Sequence, residues 1–339
     1  MTRILMISAT REPFSIADAD SGQIGGIETT NIELARQFAA RGHEVVLASP
    51  TTEETRHDNV LNIPLSRAPD IHAEFVISSN NTAPLRNLPT ARSSALWVHN
   101  PLVIERLIRK GQMGSLLTRR PHAVFLSEHS LRATSRLLPF RSRRVIHHGI
   151  AKVFRESTPS DGSKPIVVWA SDPHRGLRET LEIWGSKVLP AVPQAEFHIF
   201  GPAEAFLGEE AIRFKNQQVH FHGRQPQERI AEIYGKARLM LYPGDERISE
   251  TFCLAAAEAQ CMGLPVITSG VGAMKERVTH GRNGMICRSA DETADATIRL
   301  LTDDALWKEM HTQALSMRDR LTWENSAKQW EEAFELALP

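Results

Sequence analysis

Cysteine is scarce in this 339-residue chain: Cys253, Cys261 and Cys287 are three, an odd number, with no metal-type spacing. A disulfide framework is thereby excluded, and a reducing compartment fits. Long apolar runs are also missing, since none approaches the roughly 18 residues needed to span a bilayer. Charge of one sign is absent overall: 40 Lys and Arg balance 40 Asp and Glu, so a global attraction to nucleic acid is not indicated. The opening run Met1 to Ser8 has neither the basic region nor the long apolar stretch and cleavage site of a signal peptide. It reads as a first buried strand, and the cytoplasm is the default location. There is no low-complexity tract and no short-period repeat.

What is present is a soluble globular composition, 41% hydrophobic and 24% charged, in a chain long enough for two domains. Strand Ile4 to Ser8, a polar loop, a helix opened by Gly25-Gly26-Ile27-Glu28 and running to Arg41, and strand Val45 to Ser49 form a βαβ unit. Further strands are expected at Phe75 to Ser78, Ala95 to His99, Ala123 to Ser127 and Arg144 to His147. Between Gly149 and Lys164 the composition becomes that of a linker. A second series follows: strand Ile166 to Ala170, helix Leu177 to Leu189, strands Glu196 to Phe200 and Val219 to His222, helix Gln227 to Lys236, and strand Leu239 to Tyr242. The expected architecture is α/β, two Rossmann-like domains (residues 1–150 and 151–320) facing each other across a cleft. Ligands of such sheets bind at the carboxyl ends of the strands.

The most informative phrase is residues 249–272, Ser-Glu-Thr-Phe-Cys-Leu-Ala-Ala-Ala-Glu-Ala-Gln-Cys-Met-Gly-Leu-Pro-Val-Ile-Thr-Ser-Gly-Val-Gly. Glu250 lies just before a helix start and Glu258 on its second turn. A helix N-terminus offers unpaired N–H groups and a positive dipole end, a seat for a diphosphate. A carboxylate on each side would then meet hydroxylated groups at both ends of the ligand, which is the shape of a nucleotide sugar. The competing reading is a buried alanine-rich helix with one charge facing solvent, stopped by Gly263 and Pro265.

With Gly25-Gly26-Ile27-Glu28, Ser171-Asp172-Pro173-His174-Arg175-Gly176, Glu250 and Glu258, the chain resembles the retaining glycosyltransferases of the GT-B fold, family 4 (glycosyl transferases group 1). The resemblance implies a metal-independent hexosyltransferase with no cofactor beyond its nucleotide-sugar donor, acting on an acceptor hydroxyl of a lipid-linked or polysaccharide-precursor molecule. It implies that Glu250 contacts the transferred sugar, that the amides of Thr251, Phe252, Cys253 and Leu254 hold sugar and diphosphate, and that Glu258 holds the ribose. Gly25, Gly26 and Ser171 join the donor contacts. Arg175 matches the cation of the phosphate-binding segment, and His99 matches a catalytic histidine near the reacting sugar carbon. His99 otherwise reads as a capping or core histidine at a strand end. A second cation is common in the family five positions before Arg175, where this chain has Ala170; Arg178 is an exposed helix arginine on the simpler reading. A last helix, Asn325 to Ala337 within residues 321–339, is implied to return to the first domain. Nucleotide-sugar binding with weak or no transfer, and a sugar-nucleotide epimerase, remain as alternatives.

Other features lead elsewhere. The glycine pair has no third glycine at dinucleotide spacing, which disfavours nicotinamide binding. Asp18-Ala19-Asp20 matches the short metal motif of a different glycosyltransferase fold, but a two-aspartate match is cheap by chance, and no metal is expected. His147 and His148 point to opposite sides of the chain and read as hinge structure. From Arg106 to Arg144, Arg106, Arg109, Lys110, Arg119, Arg120, Arg132, Arg136, Arg141, Arg143 and Arg144 face a single acid, Glu128. With Leu107, Ile108, Met113, Leu116 and Leu117 interleaved, residues 106–144 are compatible with peripheral docking on an anionic inner-membrane face, or with plain solvated helices. The base, the sugar and the acceptor are not encoded in any motif; the segment His222 to Gln225 is where base recognition is expected.

Overall fold

The computed structural model describes residues 1–20, 24–245 and 247–336, with the side chains of 19 and 20 left aside. The chain forms two compact α/β units, one of residues 1–149 with the segment from 322 onward, the other of residues 150–321.

The first unit is built on eight strands: β1 (Arg3–Ile7), β2 (Glu44–Ser49), β3 (Thr55–His57), β4 (Val60–Pro64), β5 (Phe75–Ser79), β6 (Ser93–Val98), β7 (His122–Phe125) and β8 (Arg143–Val145). Their order is β3-β4-β2-β1-β5-β6-β7-β8, parallel except for the β3–β4 hairpin. The apolar run of β1 is buried on both faces, as a central parallel strand requires. The β3–β4 hairpin had no expected counterpart. Its turn residues Asp58 and Asn59 both take positive φ, 50° and 60°, the conformation of a tight hairpin turn that Asn and Asp tolerate.

Strand ends depart from the sequence reading for identifiable reasons. β7 stops at Phe125 because Ser127 leaves the ladder to cap the helix Glu128–Ala133, its hydroxyl accepting from Ser130 N at 3.2 Å. β6 stops at Val98, one residue short of His99, because Asn80 Oδ1 accepts the N–H groups of His99 and Asn100 at 2.7 and 3.0 Å. β8 ends at Val145 rather than His147.

The second unit holds β9 (Ile166–Ala170), β10 (Glu196–Phe200), β11 (Val219–Gly223), β12 (Leu239–Leu241), β13 (Val266–Thr268) and β14 (Gly284–Ile286), all parallel, in the order β11-β10-β9-β12-β13-β14. The presumed linker is not wholly irregular: Lys152–Glu156 is a short helix that buries Phe154 completely. The helix expected from Leu177 to Leu189 is interrupted by a π-turn at Trp184–Val188. That turn places Trp184 fully inside, where its indole donates to Gln217 O at 2.8 Å.

The last helix spans Trp323–Phe334; it begins before Asn325 because Thr322 caps the Asn325 N–H at 3.0 Å, while Ala337 lies outside the described residues. Trp330, fully buried, meets Phe75 and Trp97 edge-on at 6.4 and 5.7 Å, and Glu331 takes both Arg41 Nε and Nη2 at 2.6 Å. This segment is therefore part of the first unit's core. Among the described residues no helix is long and apolar enough to cross a membrane.

Candidate functional site

In the second sheet β9, β10 and β11 progress to one side and β12, β13 and β14 to the other, so the strand order reverses between β9 and β12. In sheets of this kind ligands bind outside the carboxyl ends of the strands at such a reversal. The loop after β9 carries Ser171 to Gly176; the loop after β12 runs from Tyr242 to Cys253. They touch through backbone: Gly176 has φ +86°, and a Cβ there would come within 2.7 Å of Gly244 O.

The two loops bring Arg175 and Glu250 together. Arg175 Nη1 donates to Glu250 Oε1 at 2.7 Å, and the Tyr242 hydroxyl donates to the same oxygen. Ser171 Oγ stands 3.3 Å from the Tyr242 hydroxyl. Burial lowers the pKa of the Arg175 guanidinium, but the charge and hydrogen bond of Glu250 outweigh it and leave it raised. Burial, with the charge of Glu250, pushes the Tyr242 phenol far up, so it stays protonated and can donate to Glu250. Arg178 takes no part here: it is exposed, paired with Glu210, and lies over the Phe206 ring.

Glu250 is fixed from behind as well. Ala273 N donates to Glu250 O at 2.9 Å, and Gly272 (φ +59°) lies so close that a Cβ would stand 2.3 Å from that oxygen. Arg277, buried, donates Nε–H to Phe252 O at 3.0 Å and stacks over the Phe252 ring at 4.2 Å. Burial lowers its pKa to about 10. Residues 250–252 are thus held by backbone, by a ring contact and by an internal cation.

Next comes Cys253, N-cap of helix Leu254–Cys261, in the left-handed region at φ +60°. A non-glycine residue is held there only when its surroundings over-determine it, a condition that clusters at functional loops. The turn aims the chain so that Thr251 to Leu254 surround the helix N-terminus, whose first N–H groups have no intrahelical acceptor. Burial drives the Cys253 thiol well up, so it is no nucleophile. Glu258, on the second turn, is 9% exposed rather than facing solvent, and burial pushes its carboxyl up to about 7. A carboxylate kept in so costly a place is unlike the solvated charge of the alternative reading.

In the first unit the sheet reverses between β1 and β5. Gly25 caps helix Gly26–Ala40 in an extended conformation, and its carbonyl accepts from Thr29 N and Oγ1, both at 3.0 Å. A Cβ on Gly25 would lie 2.6 Å from Glu28 Oε2; Gly26 has open space. His99 is 5% exposed, in an aromatic cluster with Trp97 (4.5 Å) and His148 (5.2 Å, stacked). Burial lowers its pKa to about 3, which leaves a neutral imidazole at physiological pH. His148 is buried and His147 exposed, on opposite sides. Asp18 Oδ2 accepts from Ser15 N and Oγ at 2.6 and 2.9 Å, while the side chain of Asp20 lies outside the described residues.

Within 106–144, Arg119 and Arg143 are spent on carbonyls, Arg119 on Arg86 and Leu88, Arg143 on Thr134, Ser135 and Leu138. Ile108, Leu117 and Leu137 are exposed beside the remaining bases.

Sequence reasoning missed Tyr242, Arg277, Gly272 and Asn80. Tyr242 carries a usable signal, a polar aromatic at the carboxyl end of a switch-point strand. Arg277 and Gly272 carry none, since their partners are brought near only by folding.

Residues 164–303 match the family model described as glycosyl transferases group 1. A D-inositol 3-phosphate glycosyltransferase of Corynebacterium urealyticum is 33% identical over 121 residues, 35% of this chain and 28% of that protein, so the match spans well under half of the relative. Among solved structures, a sucrose-phosphate synthase from Thermosynechococcus elongatus superposes with a TM-score of 0.76 at 17% identity, covering 99% of this chain and 98% of the other. Anabaena HepE in complex with UDP and glucose gives 0.73 at 16% identity, covering 99% and 100%. At such identities the likeness is one of fold, and the fold is GT-B.

Proposed function

Because residues 164–303 match the family model of glycosyl transferases group 1, we propose that the chain is a retaining, metal-independent glycosyltransferase of family 4, moving a sugar from a nucleoside diphosphate donor to an acceptor hydroxyl. The observation that carries the reading is the arrangement around helix Leu254–Cys261: Glu250 before its N-terminus, Glu258 on its second turn, and Arg175 in contact with Glu250. The helix N-terminus and Arg175 hold the diphosphate and stabilise the charge that grows as it departs. No metal or cofactor is required for that task. Glu250 orients the sugar hydroxyls, the amides of Thr251 to Leu254 line sugar and diphosphate, and Glu258 accepts from the ribose. Ser171 borders the same ligand.

Attack is from the front face. The sugar–phosphate C–O bond breaks while the acceptor oxygen bonds to the same carbon, and the acceptor's proton passes to the departing phosphate oxygen. His99, neutral, contributes as a dipole and hydrogen-bonding group rather than as a cation.

A thermal-shift panel of UDP, GDP, ADP and dTDP sugars tests this reading, since a ligand at 100 times its dissociation constant stabilises by about 2.7 kcal/mol. The UDP arm comes first because HepE holds UDP and glucose. A phosphorylated polyol is the first acceptor to try, given the inositol-phosphate glycosyltransferase relative. Failure of every sugar nucleotide to stabilise the protein would end the proposal. Binding without transfer would point to a weakly active nucleotide-sugar binding protein, a reading favoured by Ala170 in place of a second cation and by the engagement of Arg175 with Glu250. A donor altered without acceptor would point to an epimerase.

A lipid-linked or polysaccharide-precursor acceptor, and a cytoplasmic enzyme peripheral to the inner membrane, go with this function. What supports them is the basic stretch 106–144, with exposed Ile108, Leu117 and Leu137, and a cavity of about 220 Å³ lined by Arg92, Arg119, Arg120, His122 and Arg141 among others. Co-sedimentation with phosphatidylserine vesicles but not with neutral ones is expected; equal sedimentation with both disposes of it.

A further inference from the structure

At the free edge of the second sheet, β10 and β11 run side by side with His198 in register with His220. Alternation along β10 puts Glu196 on the same face as His198; on β11 the register shifts at His222, the extra residue between Phe221 and Gly223, and its ring lies beside His198. His198 Nε2 lies 3.0 Å from Glu196 Oε2, and His220 Nε2 lies 3.6 Å from that same oxygen. One ligand atom from each of Glu196, His198 and His220 falls within 4.8 Å of the others. On the far side, His198 Nδ1 is 3.0 Å from His222 Nε2, and His222 is stacked on Phe200 at 4.9 Å.

A hydrogen-bonded chain from Glu196 through His198 to His222 accounts for part of this geometry. It does not account for His220, whose nitrogen stands too far from Glu196 for a hydrogen bond. Two ligands on a tetrahedral ion with bonds of about 2.0–2.1 Å stand about 3.4 Å apart. The two observed separations bracket that value.

We propose that Glu196, His198 and His220 bind one divalent transition-metal ion of the zinc class, with His222 as the outer partner that orients His198. Two imidazoles and one carboxylate select zinc, nickel, copper or iron over magnesium or calcium. On binding, the ion displaces the proton shared by His198 Nε2 and Glu196; His198 then carries its proton on Nδ1 and donates it to His222 Nε2. That outer hydrogen bond is what metal-ligating histidines ordinarily make. The half-exposed side chains of Glu196 and His220 leave the remaining position to water. Lys164 and Arg229 add positive charge nearby, the latter paired with Glu232.

The cluster lies toward the amino ends of β10 and β11, whereas Ser171, Glu250 and their loops leave the carboxyl ends of β9 and β12. The ion is therefore a clip on an edge strand, separate from the diphosphate seat. Through His222 it also steadies the start of segment 222–225.

The full chain, treated with chelator and dialysed, is titrated with Zn²⁺ and, separately, with Mg²⁺ by calorimetry. One Zn²⁺ per chain is expected, with no heat from Mg²⁺. His220→Ala, on an exposed edge position, keeps the metal-free melting temperature and weakens zinc at least 100-fold; Glu196→Gln weakens it at least tenfold. His72→Ala, exposed and in the other unit, leaves it unchanged. Zinc binding of equal strength in the native protein and His220→Ala overturns the proposal, as does an absence of zinc binding by the native protein.

Discussion

Arg175 and Glu250 are in contact at 2.7 Å across the point where the strand order of the second sheet reverses. The cation expected to face a diphosphate and the carboxylate expected to face a sugar thus hold each other, with Tyr242 on the same oxygen. The pair is mostly buried, with side-chain exposures of 26% and 8%. On the proposed function, donor binding requires Arg175 to trade a carboxylate for a phosphate, an exchange between like-charged partners rather than the desolvation of a bare cation.

Arg175→Ala is expected to lower kcat by about 10²–10³-fold, the cost of losing one preorganised donor to the leaving group. It leaves Glu250 buried against Tyr242 and should cost about 2 kcal/mol of stability. Arg175→Lys should restore part of the stability and little of the turnover, because the ammonium lacks the guanidinium fork. Melting curves and steady-state transfer read both; Arg175→Ala with native kcat contradicts the assignment.

Glu258 supplies a pH test. Its folded pKa, about 7, lies above the unfolded value near 4.5, so its share of stability is present below pH 4.5 and lost as pH rises through 7. By pH 8 the loss is on the order of 3 kcal/mol. Glu258→Gln should therefore melt higher than the native chain at pH 8 and alike at pH 4.5, while binding donor more weakly. Equal melting differences at both pH values would refute the burial argument.

His99 behaves oppositely. Its folded pKa of about 3 lies below the unfolded value near 6.5, so stability present above pH 6.5 is lost as pH falls toward 3, about 2 kcal/mol by pH 5. His99→Asn should shrink the drop in melting temperature between pH 7 and pH 5. His99→Ala should lower kcat more than it alters donor affinity. Loss of donor binding alone would remove His99 from the reaction centre.

Gly272→Ala strains a backbone at φ +59° and drives a methyl against Glu250 O, where the Cβ would stand at 2.3 Å. A loss of 1–2 kcal/mol or more is expected, on the order usual for alanine at positive φ, with donor binding weakened through displacement of Glu250. Gly114→Ala, which meets nothing within 4 Å and has no place in the donor site, serves as the comparison in the same melts and binding assays.

Trp330→Ala should cost about 3–5 kcal/mol, since the side chain is fully buried against Phe75 and Trp97. Urea unfolding would show whether the loss falls on the unit that contains residues 1–149.

Much of the architecture was legible in local pattern. Continuous apolar runs such as Ile4 to Ile7 and Ile166 to Ala170 name central parallel strands, and helix Leu254–Cys261 was placed with its stop at Gly263. The β3–β4 hairpin escaped because Thr55–His57 is short, polar and at an edge, and its Asp-Asn turn is a weak signal. The π-turn at Trp184 escaped because its cause, Gln217, is distant in sequence.

For the candidate site, the chain by itself determined the chemistry on offer: two carboxylates spaced around a helix start, one arginine on a strand-end loop, and glycines where backbone must come close. Those follow from residue type and short spacing, which local physics reads. Only the tertiary structure decided that Arg175 meets Glu250 75 residues away, that Arg277 props Phe252, that Glu258 and His99 are buried enough to shift their pKa values in opposite directions, and that His198 lies in register with His220. Pairing and burial are set by strand order and packing, which join residues that no local spacing relates.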